Sequence, residues 1–186
     1  MILDVERWRV PRTGDDTVVR RCSGPTLDVG CGPGRIAHAI AAAGVPALGI
    51  DISPRMVNEA RARGAAALRR DIFDDLPGVG RWHHTVLLDG NIGIAADPVA
   101  LLRRCRDSLR DGGTLFVEVE PSRPPTMLTS LRLIIDGSVS APVPWARVGV
   151  DAINDLATAA GLEVSEVWRC DARAFAELRR AGRTYI

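Results

Sequence analysis

The chain of 186 residues lies within the range of one domain, and its net charge of +1 from 24 basic and 23 acidic side chains gives no broad field for a nucleic-acid backbone, so no nucleic-acid partner is expected. All 24 basic residues are arginine, which excludes a P-loop lysine and a Schiff-base lysine. Cys22, Cys31, Cys105 and Cys170 form no C-x-x-C pair and there are three histidines, which argues against a disulfide framework or a metal centre; with no run of eighteen apolar residues and no basic-then-apolar start, a cytoplasmic protein without a membrane partner is expected.

In chain order, residues 1–24 are polar and irregular, with Trp8 and Val10 before Pro11, and read as an arm or a short helix. Regularity begins at Pro25. Residues 26–30 read as a buried strand, 35–43 as an alanine-rich helix stopped by Gly44, and 47–50 as the next strand, making a βαβ unit. Ser53 as N-cap with Pro54 at the first helical position predicts a helix over 54–63 that stops at Gly64. Residues 65–70 are a third strand ending at Asp71. After the turn-rich Pro77-Gly78-Val79-Gly80, residues 84–88 are a fourth strand, followed by the loop Asp89-Gly90-Asn91. A helix over 98–110, capped by Asp97, ends before Gly112-Gly113 and leads into a fifth strand over 114–119.

The pattern then breaks. Pro121, Pro124, Pro125, Pro142 and Pro144 surround an apolar stretch, 127–135, that is predicted to be helical, and residues 121–147 read as an insertion between core elements. A helix over 150–160, a strand over 162–169 and a last strand over 174–178, joined by the turn Asp171-Ala172, close the chain with an antiparallel hairpin. Strands that alternate with helices and are nearly continuous in apolar residues predict an α/β fold. Its sheet is Rossmann-like and doubly wound, mostly parallel with an antiparallel last strand, and its ligands bind beyond the carboxyl ends of the strands.

The most informative segment is Leu27-Asp28-Val29-Gly30-Cys31-Gly32-Pro33-Gly34-Arg35. A strand, a glycine-rich turn and a helix start bring bare backbone against a ligand, while Asp51 at the tip of the next strand can grip two ribose hydroxyls, so a nucleoside is the expected ligand. In the dinucleotide fingerprint G-x-G-x-x-G the third glycine would fall at Arg35; Gly34 comes one residue early. Asp28, inside the strand, would repel a pyrophosphate and suits a ligand carrying positive charge. S-adenosylmethionine, with an ammonium, a sulfonium and no phosphate, meets that requirement.

The run Asp28-Val29-Gly30-Cys31-Gly32-Pro33-Gly34 resembles the first motif of class I S-adenosylmethionine-dependent methyltransferases, and further landmarks follow in that family's order. The resemblance implies that Asp51 holds the ribose hydroxyls with Ile52 against the adenine, and that Asp71 receives the adenine amino group with Ile72 packed on the ring. It implies that Leu87-Leu88-Asp89-Gly90-Asn91 is the fourth strand and its loop beside the methionine moiety. Leu109-Arg110-Asp111-Gly112-Gly113-Thr114-Leu115 is similar to the family's turn into the fifth strand, with Asp111 where proline is usual. The resemblance covers residues 25–120 and, in outline, 145–180. It implies the seven-stranded methyltransferase fold, with residues 1–24 as an N-terminal arm and 25–186 as one S-adenosylmethionine-binding domain. The implied cofactor residues are Asp28, Gly30, Cys31, Gly32, Gly34, Asp51, Ile52, Asp71, Ile72, Asp89 and Gly90.

The implied activity is transfer of a methyl group to a small-molecule acceptor by in-line displacement, which requires no metal. Asp89 and Asn91, at the carboxyl edge of the sheet, are the candidates for a general base. An Asn-Pro-Pro-Tyr motif of base-methylating enzymes is missing; Asp89-Gly90-Asn91-Ile92 stands in its place. The alternative is a non-catalytic domain that binds S-adenosylmethionine or S-adenosylhomocysteine for regulation or assembly. The short arm motivates it, because the roof over the acceptor is then left to the proline-rich insertion or to a second subunit of a homodimer. A nicotinamide-dependent oxidoreductase is a third reading, opposed by Asp28 and the displaced glycine. Each residue also has a structural reading: Asp28 as a cap for the glycine turn, Cys31 as a small residue in a tight bend, Asp71 with Asp74 and Asp75 as a solvated turn, Asn91 as a turn former. Met56 reads as core, His83 and His84 as residues at the far end of their strand, and Trp8 and Trp145 more often as packing than as walls of an acceptor pocket.

Overall fold

The structure, a computed structural model, describes residues 1–121, 126–135 and 137–180. The chain begins with a short strand β1 (Ile2–Asp4), a 3-10 turn (Val5–Trp8) and helix α1 (Asp15–Val19). Then follow β2 (Thr26–Val29), α2 (Arg35–Ala42), β3 (Ala47–Asp51), α3 (Pro54–Ala62), β4 (Ala67–Arg69) and β5 (Trp82–Leu87). Ser53 caps α3 by accepting the Met56 N–H at 3.3 Å, and Asp97 caps α4 (Pro98–Ser108) by accepting the Ala100 N–H at 2.9 Å, the two caps read from the sequence. Strand β6 (Leu109–Val119) follows directly.

A helix was the expectation for residues 127–135, and it is overturned: they form strand β7 (Met127–Ile135). The physical reason is a period of two. Leu131 is buried and Leu133 half-buried on one side, while Leu128 and Arg132 are exposed on the other. The chain returns through β8 (Ser138–Val139) and β9 (Val143–Arg147), both antiparallel to β7, and β1 joins β7 in parallel register, Leu3 opposite Leu133. Of the two readings for the first residues, the short helix is present as α1, which packs Val18 with Ile36 and Ile40 of α2, and in place of an arm β1 supplies a strand to the insertion's sheet. Pro124 and Pro125 lie outside the described residues. A 3-10 turn (Val150–Ala152), α5 (Ile153–Ala159), β10 (Leu162–Cys170) and β11 (Arg173–Arg180) complete the chain.

The main sheet has the order β10-β11-β6-β5-β2-β3-β4. Its first five strands in sequence are parallel and β11 is antiparallel to both neighbours, as the sequence predicts. Alternation along each strand divides the core between the faces. Leu87, Leu115 and Val117 pack under α4 and α5, while Val86 and Phe116 pack under α1 and α2. Strand order reverses between β2 and β5, so their carboxyl ends diverge and leave a crevice. The β-sheet insertion closes over that crevice. It leaves and returns at one place: Glu120 and Val148–Val150 exchange backbone hydrogen bonds, and Arg147 forks onto Glu120 at 2.6 and 2.7 Å.

Candidate active site

Beyond Val29 the chain turns sharply, with the N–H groups of Gly30 and Cys31 both donating to the Ile50 carbonyl. Gly34 ends the turn at φ 79°, and a Cβ there would lie 2.7 Å from Ala60 Cβ, so glycine is what allows α2 to start against α3. Gly34 thus stands behind the turn as a packing residue, outside the wall of the cavity for which it was expected.

That cavity, about 410 Å³, fills the crevice. Asp28, Gly30, Cys31, Gly32, Asp51, Ile52, Asp71, Ile72, Asp89 and Asn91 all line it, so the structure brings these residues together from four separate segments. Gly90 lines a smaller neighbouring recess instead. Asp28 is buried, and its carboxylate accepts the Ala37 N–H at 3.1 Å. Burial pushes it up to about 7, with the Ala37 N–H and Arg35 pulling the other way and Asp89 and Asp51 adding to the rise. Asp28 thus caps the first turn of α2 rather than the glycine turn itself, and it also forms part of the cavity wall.

Asp51 accepts the Gly32 N–H at 2.9 Å and the Ser53 N–H at 2.8 Å, one on each oxygen, and burial holds it above the usual carboxylate range against those two bonds. Each oxygen keeps a lone pair for a further donor. Asp71 accepts the Phe73 N–H at 3.0 Å, Ile72 is buried in the core, and Ile52 and Phe73 stand exposed at the rim. Phe73 was missed by the sequence reading; its position beside Ile72 in a chain with three phenylalanines was the available signal. Two apolar side chains, Ile52 and Phe73, on the cavity wall together with the Asp71 carboxylate suit a heteroaromatic base carrying an amino group.

Asp89 is held differently from expectation. One carboxylate oxygen bonds Arg12 and the other Arg35; Arg35 also bonds Asp15, which takes Arg173 at 2.8 Å, and Arg173 forks onto Glu118 at 2.8 and 2.7 Å. Glu118 in turn accepts the Asp89 N–H at 2.6 Å. Three guanidinium groups and three carboxylates close a charge-balanced network. Burial works to raise Asp15 and Glu118, but their arginine partners outweigh it and hold both below the usual range. The carboxylate expected as a general base is thus set inside an ion-pair network, with a guanidinium group on each of its oxygens. Asn91 donates its amide to the Val29 and Gly30 carbonyls at 2.9 and 2.8 Å and pins the end of β2. A carboxamide is no base, so its part is to position the turn.

Cys31 lines the cavity as a thiol that burial pushes up, next to Gly49, whose bare Cα makes room for its sulfur. His84 bonds Ser23 and Thr114 at the amino end of β5, where burial pushes it down to about 4. Neither His83 nor His84 lines the cavity. Trp8 and Trp145 do line it, in keeping with the less favoured of their two readings. With Val5, Leu131, Leu133 and Val143 they form an apolar roof. Gly93 lets that roof close, since a Cβ there would lie 2.0 Å from the Ala146 carbonyl oxygen.

The architecture is that of the methyltransferase fold. Residues 26–113 match a family model described as a methyltransferase domain. A ubiquinone biosynthesis O-methyltransferase of Cereibacter sphaeroides is 27% identical over 146 residues, which are 74% of this chain and 59% of that protein. A protein of the same name in Xanthomonas campestris is 32% identical over 98 residues, 49% of this chain and 41% of that one. The chain thus spans less than two thirds of the length of these curated relatives. Among solved structures, an S-adenosylmethionine-dependent methyltransferase of Bacteroides fragilis in complex with S-adenosylhomocysteine is similar at a TM-score of 0.75 and 21% identity, covering 96% of this chain and 81% of that one. The CcbJ methyltransferase of Streptomyces caelestis is similar at 0.72 and 17%, covering 94% and 92%. These two likenesses establish the fold. Among the described residues no helix is long and apolar enough to cross a membrane.

Proposed function

We propose that the protein is an S-adenosylmethionine-dependent methyltransferase acting on a small-molecule acceptor inside the roofed crevice. The observation that carries the reading is the set of acids at three successive strand tips: Asp28, buried and ready to ionise beside an ammonium; Asp51, with lone pairs toward ribose hydroxyls; and Asp71, on the same cavity wall as Ile52 and Phe73. The cofactor supplies an activated methyl on a sulfonium whose departure leaves a neutral thioether. The protein's part is positioning. The glycine turn and Asp51 fix the nucleoside, and the roof of Leu131, Leu133 and Trp145 keeps water from the sulfonium.

Asp89, Glu118 and Glu120, the acids on the side facing the acceptor, are each held by arginine. The acceptor therefore brings its own available lone pair, as a neutral amine or a readily ionised hydroxyl does. The O-methyltransferase names of the curated relatives make a hydroxyl the first acceptor class to try. The roof favours catalysis over the regulatory-domain reading, because a binding module has no need to exclude water from the methyl group. It also comes from the same chain, which removes the reason for a second subunit.

Isothermal titration with S-adenosylhomocysteine and with NAD tests the reading. Binding of the thioether and no binding of NAD are expected; binding of NAD alone rejects it. Asp51→Ala weakens S-adenosylhomocysteine by about fivefold or more, since a lost ribose partner costs roughly 1–3 kcal/mol. An unchanged dissociation constant removes Asp51 from the site.

A further inference from the structure

Beside the roofed cavity lies a second recess of about 170 Å³ over the ends of β5 and β6. Asp89 and Trp145 belong to the walls of both, so the two spaces adjoin across those side chains. Leu3, Ile92, Val119 and Val148 give the recess an apolar lining. Its charged residues are three acids, Asp89, Glu118 and Glu120, and three arginines, Arg7, Arg12 and Arg147.

These charges do not cancel locally. Arg147 is taken by Glu120, Arg12 bonds Asp89 and lies 4.0 Å from Glu118, and Asp89 and Glu118 are each paired with a second cation, Arg35 and Arg173 respectively. Arg7, exposed at the rim, has no hydrogen bond or ion pair among the described residues. Every carboxylate is satisfied and one guanidinium is not, so the unmet charge of the recess is positive.

We infer that this recess is the acceptor subsite and that it takes a small apolar molecule bearing an anionic group, a carboxylate or its like, which Arg7 reads at the rim. The inference rests on the methyltransferase reading for the word acceptor. It goes beyond that reading in naming the charge of the substrate and the residue that selects it. A fork of two N–H groups matches a carboxylate, and an apolar body then extends past Trp145 toward the cavity where the methyl group is held.

Calorimetric titration of benzoate, benzamide and benzylamine at equal ionic strength, with and without saturating S-adenosylhomocysteine, tests it. Benzoate binds at least about tenfold more tightly than benzamide and benzylamine is weakest, with the preference kept when the cofactor cavity is full. Arg7→Ala abolishes the preference, Arg7→Lys keeps a weaker one through charge without the fork, and neither changes the S-adenosylhomocysteine dissociation constant by more than about twofold. Equal binding of benzoate and benzamide overturns the inference, and so does a preference that survives Arg7→Ala or vanishes when S-adenosylhomocysteine is bound. Failure to bind S-adenosylhomocysteine with an intact, Arg7-dependent benzoate preference overturns the methyltransferase reading and leaves the anion recess standing.

Discussion

Asp28 is a carboxyl group buried with one backbone donor, and its elevation to about 7 has two consequences of definite sign. A carboxyl raised on folding stabilises the unliganded protein fully below the ordinary carboxylate range, and that contribution is lost as pH rises through about 7. An ammonium beside it favours the ionised form, so cofactor affinity rises over the same interval. Asp28→Asn removes both effects. Its melting temperature gains on the wild type between about pH 4 and about pH 7, and its affinity for S-adenosylhomocysteine stays flat where that of the wild type climbs. Parallel profiles for the two proteins contradict the assignment. Asp28, Asp51 and Asp71 were legible in the sequence because each sits at a strand tip at fixed spacing from a glycine turn or a strand end. The true setting of Asp89 was not. Its partners Arg12 and Arg35 lie 77 and 54 residues away, and no local pattern announces that two guanidinium groups will converge on one carboxylate.

At the level of elements, the helix start at Gly34 and the strand β7 show what local sequence can and cannot state. Gly34 was correctly placed in the turn, but its packing duty comes from α3, through Ala60. Gly34→Ala combines a positive φ with a 2.7 Å approach, and an overpacking cost of roughly 1–3 kcal/mol is expected, read as a lower urea midpoint. An unchanged midpoint means that α2 and α3 are less closely packed than described. The caps at Ser53 and Asp97 and the first βαβ unit were readable because the signals are short-range. Residues 127–135 were not, since leucines favour helices and the alternation of Leu131 and Leu133 with Arg132 is brief. The decision fell to pairing with β9 and β1, sequence-distant strands that offer an edge on which only an extended chain can hydrogen-bond.

Across the whole molecule, the network of Arg12, Arg35 and Arg173 with Asp15, Asp89 and Glu118 joins the N-terminal segment, α2, the loop after β5, β6 and β11. Arg173→Met leaves Asp15 and Glu118 short of their partner in a buried place, and a loss of about 3–5 kcal/mol is expected, measured by urea unfolding. A loss below about 1 kcal/mol shows that solvent reaches and screens these groups. The order of the main sheet carries a different consequence. Strand β11, near the end of the described chain, is wedged between β6 and β10, so β6 has an unoccupied hydrogen-bonding edge until residues 173–180 have emerged from the ribosome. During synthesis that open margin, flanked by Phe116 and Val117, is a place where one nascent molecule can zip onto another, so slow translation or truncation within the last hairpin favours aggregation.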